Sequence, residues 1–495
     1  MNGPAGTPAP TEGAGGSAAS TSSPDPSGDD NATTALPTPD AGAQPATPSG
    51  TAAWEEPQEW SAKGRLPRGG TDRPRAEGAG PASLSITAAA TVPELLDLPW
   101  DVPLEEWPEH NLASLPRGIS RHVVRFAHLA GAVVAVKETS DHIARHEFHI
   151  LRRLQRLDVP CVEPVAIVSN RRDADGQELA TALVTRHLKF SLPYRALFSQ
   201  QLKPDTLTRL IDALALLLVR LHLVGFYWGD VSLSNTLFRR DAGSFAAYLV
   251  DAETGEIYPE LSAGQREYDL EIARVNIAGE LMDLMEGGLV DAVDPIETSE
   301  RIMDSYRRLW SELLDIESFK ATDKWRVAER IRRLNDLGFD VEEYSITTSA
   351  EGTTFLLQPK VVDAGHHARR LLRLTGLDVQ ENQARRLLND MDTYRAANHP
   401  DLDEDYAAHL WLQQVFEPIV RSIPRDLAGK LEPPEVVHEV LEHRWYMSER
   451  QQRFIPLSEA VTSYMEDILR HRRDEANILI NPDTRTLAVL STEDD

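Results

Sequence analysis

The sequence has very little cysteine and no long apolar run. Its one cysteine, Cys161, excludes an internal disulfide framework, and the apolar residues that follow it predict a small buried side chain. No segment approaches the roughly 18 uninterrupted apolar residues of a membrane-spanning helix, so no transmembrane segment is predicted. The opening MNGPAGTPAP has neither the basic nor the apolar region of a secretory signal, and we therefore expect a cytoplasmic protein.

Positive charge is also scarce, with 51 Lys and Arg against 78 Asp and Glu and a net charge of −27. This balance argues against a general binder of nucleic acid or anionic membranes. Large apolar residues are rare in residues 1–90, which are rich in Ala, Gly, Pro, Ser and Thr. Such a composition cannot bury enough surface to offset the entropy of ordering, so this tail is predicted to be disordered.

One stretch has the pattern that phosphoryl transfer requires. In GDVSLSN, Asp230 stands five residues before Asn235, and Asp251 follows the apolar strand of YLVDAE. This order is typical of a kinase catalytic loop and metal-binding strand. One carboxylate deprotonates an acceptor hydroxyl, while an amide oxygen and a second carboxylate bind Mg²⁺.

A second piece lies upstream. The run AVVAVKE predicts a buried strand in which Ala135 precedes Lys137, as in the V-A-I-K strand whose lysine contacts the nucleotide phosphates. The next segment, DHIARHEFHILRRLQRL, has apolar residues at a helical period. Glu147 lies on that predicted helix, from which its carboxylate can pair with Lys137.

With these parts in this order, the chain resembles the lipopolysaccharide-core and Kdo kinase-like family, within the wider group of protein-kinase-like and aminoglycoside phosphotransferases. The resemblance covers about residues 95–315. It implies an α+β, bilobal protein-kinase-like fold with a small antiparallel-sheet N-lobe and a helical C-lobe, and it implies ATP and Mg²⁺ as cofactors. It implies that Lys137 is the lysine that contacts the phosphates and that Glu147 is its acidic partner. It also implies that Asp230 is the catalytic base and that Asn235 and Asp251 are the metal ligands. The interlobe hinge, whose backbone would bind adenine, falls on Thr185, Arg186, His187 and Leu188.

The chain departs from the family pattern in three places. Trp228 replaces a histidine, Asp251 is followed by Ala252 and Glu253 instead of Phe and Gly, and the GxGxxG loop is missing, with only Gly118 and Gly131 nearby. Glu253 is either an acid supporting the site or a turn carboxylate. These departures keep a pseudokinase, a nucleotide- or partner-binding regulatory module without turnover, as the alternative function.

Other segments have predicted structural roles. Trp100 and Trp107, among prolines, indicate a strap over the N-lobe, with ordered structure beginning near Val92. Residues 171–176 form a charged turn between two strands, and residues 206–223 form the central apolar helix of the C-lobe. Asp269 opens the next helix, where an Asp in the phosphotransferase group braces the catalytic loop. Three histidines at helical spacing are interpreted as a solvated face: His142, His146 and His149.

From about residue 319 the pattern predicts a basic helix at 324–337, a β-hairpin around SAEG, and further helices at 365–374, 379–396, 404–422, 434–444 and 457–473. Asp378 and Glu381 form a predicted capping box. Two of these helices, rich in arginine and joined through a glycine, resemble a helix-turn-helix, so a DNA-binding regulator is a third alternative.

The sequence thus predicts a disordered tail (1–90), a protein-kinase-like domain (91–318), a mostly helical C-terminal domain of unknown function (319–482) and a disordered acidic tail (483–495). The predicted function is transfer of the γ-phosphate of ATP to a hydroxyl acceptor. A sugar or glycolipid is the acceptor that the resemblance favours, a protein acceptor is also allowed, and a nucleic-acid partner is not expected. The sequence specifies neither the acceptor nor the oligomeric state.

Overall fold

The computed structural model describes residues 83–113, 122–198, 202–289, 293–320, 323, 325–348 and 354–476. Gly118 and the predicted tail at 483–495 lie outside these ranges, as do residues 1–82. Strand β1, Ser85–Ala88, pairs antiparallel with residues 166–169, so the predicted start of order near Val92 is wrong. Its four residues are too few to produce a periodic signal beside a low-complexity tail; they are ordered by pairing with the sheet edge.

The N-lobe is a five-stranded antiparallel sheet with one helix. Its elements after β1 are β2 (Val124–Leu129), β3 (Ala132–Thr139), α1 (Asp141–Arg156), β4 (Pro164–Ser169) and β5 (Thr181–Arg186). The strand order is β1-β4-β5-β3-β2. Helix α1 starts after Ser140, whose side chain accepts a hydrogen bond from the amide of Ile143, and its buried face includes Glu147.

The predicted strap over the N-lobe is present. Trp100 and Trp107 are buried and pack edge to face, with ring centroids 5.3 Å apart. Arg171 lies in the predicted segment between β4 and β5, and it is fully buried beneath the strap. Its guanidinium donates to the carbonyl of Trp100 at 3.1 Å and that of Val102 at 2.7 Å, and pairs with Glu138 at 2.6 Å. The strap excludes water from Arg171 while supplying the carbonyls that compensate its desolvation.

The C-lobe is mostly helical. Its elements are β6 (Leu192–Pro193), α2 (Tyr194–Leu197), α3 (Pro204–Leu223), β7 (Phe226–Tyr227), β8 (Thr236–Asp241), β9 (Ser244–Leu249), β10 (Glu256–Ile257), α4 (Ala263–Glu286) and α5 (Pro295–Leu314). Helix α3 is the predicted central helix, and its leucines lie at the centre of the main hydrophobic core. None of the helices in the described ranges is long and apolar enough to cross a membrane.

Helix α4 begins earlier than predicted. Ser262 and Gln265 form a capping box at its start, so Asp269 lies nearly two turns inside the helix and does not open it. The S-x-x-Q signal for this start was present in the sequence. Because Asp269 is inside the helix, its carboxylate faces the core at the level of the loop that contains Asp230 and Asn235.

The C-terminal region combines a three-stranded sheet with a helical array. Its elements are β11 (Glu317–Lys320), α6 (Trp325–Asp336), β12 (Phe339–Thr348), β13 (Thr354–Ala364), α7 (His366–Thr375), α8 (Glu381–Asn398), α9 (Glu404–Trp411), α10 (Glu417–Ser422), α11 (Pro433–Gln451) and α12 (Leu457–Ser463). The predicted hairpin is present as β12–β13, and β11, which was not predicted, pairs with β13. Strand β11 crosses the proposed boundary at 318/319, and the domain limits stay predictions.

The predicted capping box at the start of α8 is wrong. Gln380 is the cap, in partnership with Gln383, because the backbone stays extended through Gln380. Glu381 instead accepts hydrogen bonds from the amides of His367 at 2.7 Å and Ala368 at 3.0 Å. It therefore caps α7, the preceding helix, where its negative charge meets the positive end of the helix dipole.

The start of the C-terminal region joins the core of the C-lobe, while the later helices bury a core of their own. Leu334 of α6 and Phe339 of β12 are fully buried in the same apolar cluster as Leu313 of the C-lobe. The C-terminal region thus packs directly on the C-lobe.

Candidate active site

Lys137 lies on β3 and is surrounded by carboxylates. Its Nζ is 3.1 Å from Oε2 of Glu147 on α1, 2.7 Å from Oδ2 of Asp251 and 2.9 Å from Oε2 of Glu253. The expected pairing of Lys137 with Glu147 is therefore present. Two segments that are more than a hundred residues apart in the chain meet at this amine.

The cluster has more negative than positive groups. Burial, together with repulsion from Asp251, raises the pKa of Glu147 to about 7 against the attraction of Lys137. Burial alone would lower the pKa of Lys137, but the charges of Glu147 and Asp251 outweigh it and raise that pKa, so the amine stays charged. Oxygen atoms of Glu147, Asp251 and Glu253 all lie within 4.8 Å of one another, a spacing that could hold a metal ion.

Asp230 and Asn235 are joined within one loop. Asn235 Nδ2 donates to the backbone carbonyl of Asp230 at 3.1 Å and to its Oδ2 at 3.3 Å. Because the amide nitrogen of Asn235 is used in this way, its Oδ1 is the atom with the chemistry of a metal ligand. Gly229, just before Asp230, has a φ of +75°, where a side chain would be strained.

Asp269 braces this loop from α4, as the resemblance implied. Its Oδ1 accepts from the amide of Gly229 at 2.8 Å and its Oδ2 from that of Trp228 at 3.0 Å. Its Oδ2 also contacts His222 Nε2 at 3.1 Å. Trp228 is fully buried and its Nε1 donates to the carbonyl of Asp251 at 2.9 Å, so it fills the interior and cannot stack on a substrate.

Two further residues of α4 contact the loop and were not predicted. Asn276 Nδ2 donates to Oδ1 of Asp230 at 3.3 Å and to the carbonyl of Val231 at 3.1 Å. Glu280 accepts from the amides of Leu233 at 2.6 Å and Ser234 at 3.0 Å. Asp269, Asn276 and Glu280 are spaced by seven and four residues, which puts them on one face of the helix. Polar residues recurring along an otherwise apolar helix face were the signal that could have identified them.

Glu253 and the α1 histidines differ in their surroundings. Glu253 contacts Lys137 and also His122, at 3.0 Å, which agrees with the first of its two interpretations, an acid supporting the site. His146 is not on a solvated face, because its Nε2 lies 2.7 Å from the carbonyl of Gly255 in the segment after Asp251. His142 and His149 are exposed, as predicted.

The predicted hinge residues span the end of β5: Thr185 and Arg186 are its last two residues, and His187 and Leu188 follow it. Thr185 lies opposite Ala135 in the β3–β5 pairing. The amide of Arg186 donates to Glu163 at 2.8 Å and the amide of His187 to Val133 at 2.9 Å. These two N–H groups are therefore already hydrogen-bonded to backbone carbonyls. Adenine at this position would be bound by carbonyls and by Leu188. Burial lowers the pKa of His187 to about 4, so its ring is neutral.

The arginines of the helix-turn-helix-like segment contact the protein itself. Arg370 pairs with Glu404 at 2.5 Å, Arg369 donates to the carbonyl of Ala364 and Arg385 to that of Asp336. The first turn of α8, which would enter a DNA groove, is bonded to Asp241 of the C-lobe. These contacts argue against the DNA-binding alternative.

Comparison with known proteins gives two family matches. Residues 125–271 match the lipopolysaccharide kinase (Kdo/WaaP) family, and residues 308–469 match a domain of unknown function, DUF4032. No curated protein matches the chain. Among solved structures, one described as WaaP in complex with acyl carrier protein is 19% identical and covers 46% of this chain and 90% of its own, with a TM-score of 0.30. That score is too low to support the fold, which rests on the strand order and on the residues that meet around Lys137 and Asp230.

The first match spans every predicted site residue and ends before Asn276 and Glu280. It supports a phosphotransferase of kinase type and implies use of a nucleotide with a divalent metal. The resemblance read from the sequence is confirmed: this chain joins a region similar to the lipopolysaccharide kinase (Kdo/WaaP) family to a C-terminal domain of unknown function.

Proposed function

We propose that this protein is an ATP- and Mg²⁺-dependent phosphotransferase that moves the γ-phosphate to a hydroxyl acceptor. The observation that carries the proposal is the contact of Lys137 with both Glu147 and Asp251. In kinases the lysine–glutamate pair and the metal-binding aspartate must both be in place for transfer. Here they are in contact, and the loop of Asp230 and Asn235 is fixed beside them by Asp269.

The donor set fits a divalent metal and a triphosphate. Mg²⁺ is bound by one or two carboxylates together with substrate phosphates, and the surplus of carboxylates around Lys137 supplies such ligands. Asp251 and Asn235 Oδ1 would hold the ion, and Lys137 would contact the phosphates. When bound, the ion supplies positive charge to the phosphate oxygens.

Asp230 would act as the catalytic base. Its carboxylate is held from two sides, by Asn235 on Oδ2 and by Asn276 on Oδ1, so its orientation is set before an acceptor arrives. It would accept the proton of the acceptor hydroxyl as the phosphoryl group moves in line. A base already oriented in this way avoids reorganisation during the reaction.

The acceptor is proposed to be a sugar or a glycolipid. The support is the match of residues 125–271 to a family of lipopolysaccharide kinases. A protein hydroxyl is the other acceptor that the same chemistry would serve.

The test is ATP binding and turnover with Mg²⁺, in the wild type and in Asp230→Ala and Asp251→Ala, with lipopolysaccharide core sugars and cell extract as acceptor sources. We expect Asp230→Ala to bind ATP normally while its turnover falls by about 10²-fold or more. Asp251→Ala should lose Mg²⁺-dependent ATP binding as well. Val275→Ala, an exposed position on α4, serves as the control and should behave as wild type.

Three other outcomes have clear meanings. A wild type that binds ATP without consuming it, even with extract present, would support the pseudokinase alternative. A wild type that binds no nucleotide would contradict the assignment of the site. Turnover that survives in Asp230→Ala would contradict its role as the base.

A further inference from the structure

We propose that the C-terminal domain positions Asn235 and Asp251 by holding the tip of the β8–β9 hairpin. This inference rests on the function proposed above, because it concerns the two residues proposed as metal ligands. The tip is defined here as residues 239–243. It gives the domain of unknown function a specific role in the site.

Both candidate ligands lie at the base of this hairpin. Asn235 directly precedes β8, and Asp251 follows β9 after one intervening residue. The amide of Val250 donates to the carbonyl of Asn235 at 3.0 Å, which ties the two ends together. Because one ligand adjoins each strand, a shear of the two strands changes the distance between the ligands, and a tilt of the whole hairpin moves both relative to Lys137.

The turn at the tip is conformationally demanding. Ala242 and Gly243 have φ values of +50° and +79°, as in the two-residue turns that match the twist of a hairpin. Alanine is rarely found in this region. The amide of Ala242 donates to Oε2 of Glu435, at the start of α11, at 2.9 Å, so the C-terminal domain holds the strained residue.

Asp241 of the hairpin caps a helix of the other domain. Its Oδ1 accepts from the amide of Gln383 at 2.7 Å, and its Oδ2 accepts from the amide and the side chain of Asn382 at 3.1 and 3.0 Å. These are amides of the first turn of α8, which have no partner inside their helix. The hairpin therefore supplies an interaction that α8 requires, and α8 fixes the hairpin in return.

The neighbouring arginines complete the contact. Arg239 pairs with Glu432, and Arg240 pairs with Glu475 at 2.7 Å. Gln383 Nε2 donates both to the carbonyl of Arg240 at 3.1 Å and to Glu435 at 2.8 Å. Burial makes these bonds specific, because a displaced tip would leave charged groups without partners.

Within its own lobe the hairpin has little other strand support. Among the described residues, its partner strand is the two-residue β6, which pairs with Leu237 and Phe238, and an isolated bridge joins Leu249 to Cys161. Apolar side chains of the hairpin also pack into the main hydrophobic core with α3. These contacts hold the body of the hairpin, and the C-terminal domain holds its tip.

The experiment measures metal affinity, with Mn²⁺ as the probe and ADP as the nucleotide, by electron paramagnetic resonance. Asp241→Ala removes the acceptor for three N–H groups, and we expect its Mn²⁺ affinity to fall by about tenfold, as for other changes that act through a metal ligand. Its metal-free ADP affinity should stay within about twofold, because the nucleotide contacts are untouched. Asp241→Asn, which keeps one acceptor oxygen, should recover part of the loss.

Two variants separate positioning from loss of stability. Glu404→Gln breaks a partly buried ion pair with Arg370 inside the C-terminal domain, away from the hairpin, and should leave Mn²⁺ affinity unchanged. Gln383→Leu removes the side-chain bonds of Gln383 to Arg240, Glu435 and Gln380 but leaves its amide bonded to Asp241. It should give a smaller shift than Asp241→Ala, even if the latter folds poorly.

Unchanged Mn²⁺ affinity in folded Asp241→Ala or Gln383→Leu, or an equal loss in Glu404→Gln, would overturn the inference alone. A wild type that binds neither ADP nor Mn²⁺ would overturn the proposed function, and this inference with it.

Discussion

The two ends of the β8–β9 hairpin differ in how their charges are balanced. At the base, three carboxylates surround the single ammonium group of Lys137. At the tip, Arg239 and Arg240 each have one glutamate partner, and Asp241 accepts three hydrogen bonds. At the base the carboxylates crowd around one amine, whereas at the tip each carboxylate has its own partner: an arginine for Glu432 and Glu475, and N–H donors for Asp241 and Glu435.

This difference distinguishes a ligand-binding site from a permanent contact between domains. The contact between the hairpin tip and the C-terminal domain is called the joint below. Buried charge without compensation is costly, so a surplus is found where a ligand supplies the missing charge. A joint, by contrast, is stable only when its groups satisfy one another. The same hairpin therefore connects a base whose charge favours binding of a cation with a tip that makes a fixed contact with the C-terminal domain.

The largest expected effect breaks the balance at the base. In Lys137→Met the three carboxylates lose their cation, and we expect the free energy of unfolding to fall by about 3–5 kcal/mol, as when one partner of a buried ion pair is removed. Turnover should be abolished. Millimolar Mg²⁺ should restore part of the lost thermal stability, because the ion can replace the missing positive charge.

The matched control lies at the tip. Arg240→Met also removes the cation of a buried pair, and its loss of stability should be similar. Mg²⁺ should not restore it, because in the described part of the chain the acidic groups spaced to hold a metal ion are those around Lys137. Thermal unfolding of both variants with and without Mg²⁺ makes the measurement. Equal recovery in the two variants, or recovery in neither, would show that the contrast between base and tip is wrong.

A smaller effect is expected from the orientation of Asp230. Asn276→Ala removes the donor to Oδ1, and kcat should fall by roughly tenfold while the KM for ATP is unchanged, because the nucleotide contacts are intact. Asn276→Asp should be worse, since it places a second carboxylate beside Asp230. Steady-state kinetics at saturating acceptor would test this, with Val275→Ala as control. A rise in KM with constant kcat would instead assign Asn276 to nucleotide binding.

The base of the hairpin could be predicted from the sequence, because its signal is local. Asp230, Asn235 and Asp251 stand within one continuous stretch, and Lys137 and Glu147 within another, so their order alone indicated one site. Whether these residues have the predicted roles stays a prediction. Their proximity, by contrast, is now seen in the contacts of Lys137 with Glu147 and Asp251.

The tip could not be predicted, because its contacts join distant segments. Asp241 and Gln383 are 142 residues apart, and Arg240 and Glu475 are 235 apart. A charged residue in a strand resembles a solvated one until its partner is known. The same limit explains why the burial of Arg171 was not predicted and why Glu381 was assigned to the wrong helix.

The pH dependence of the joint is a gradual effect, spread over several pH units. Burial raises the pKa of Asp241 to about 7 from its ordinary value of 3.8. The native state thus binds more protons than the unfolded chain between these values, and the contribution of Asp241 to stability is greatest below pH 3.8 and is lost as the pH rises to about 7. Asp241→Asn cannot titrate, so the stability of the wild type relative to this variant should decrease across that window, by at most about 1.4 kcal/mol per pH unit. Thermal unfolding of both proteins from acidic to neutral pH measures the difference, in which the shared titrations of Glu432 and Glu475 largely cancel. A difference that stays constant would mean that the three N–H donors keep Asp241 ionised throughout, as in a joint whose charge is already fully compensated.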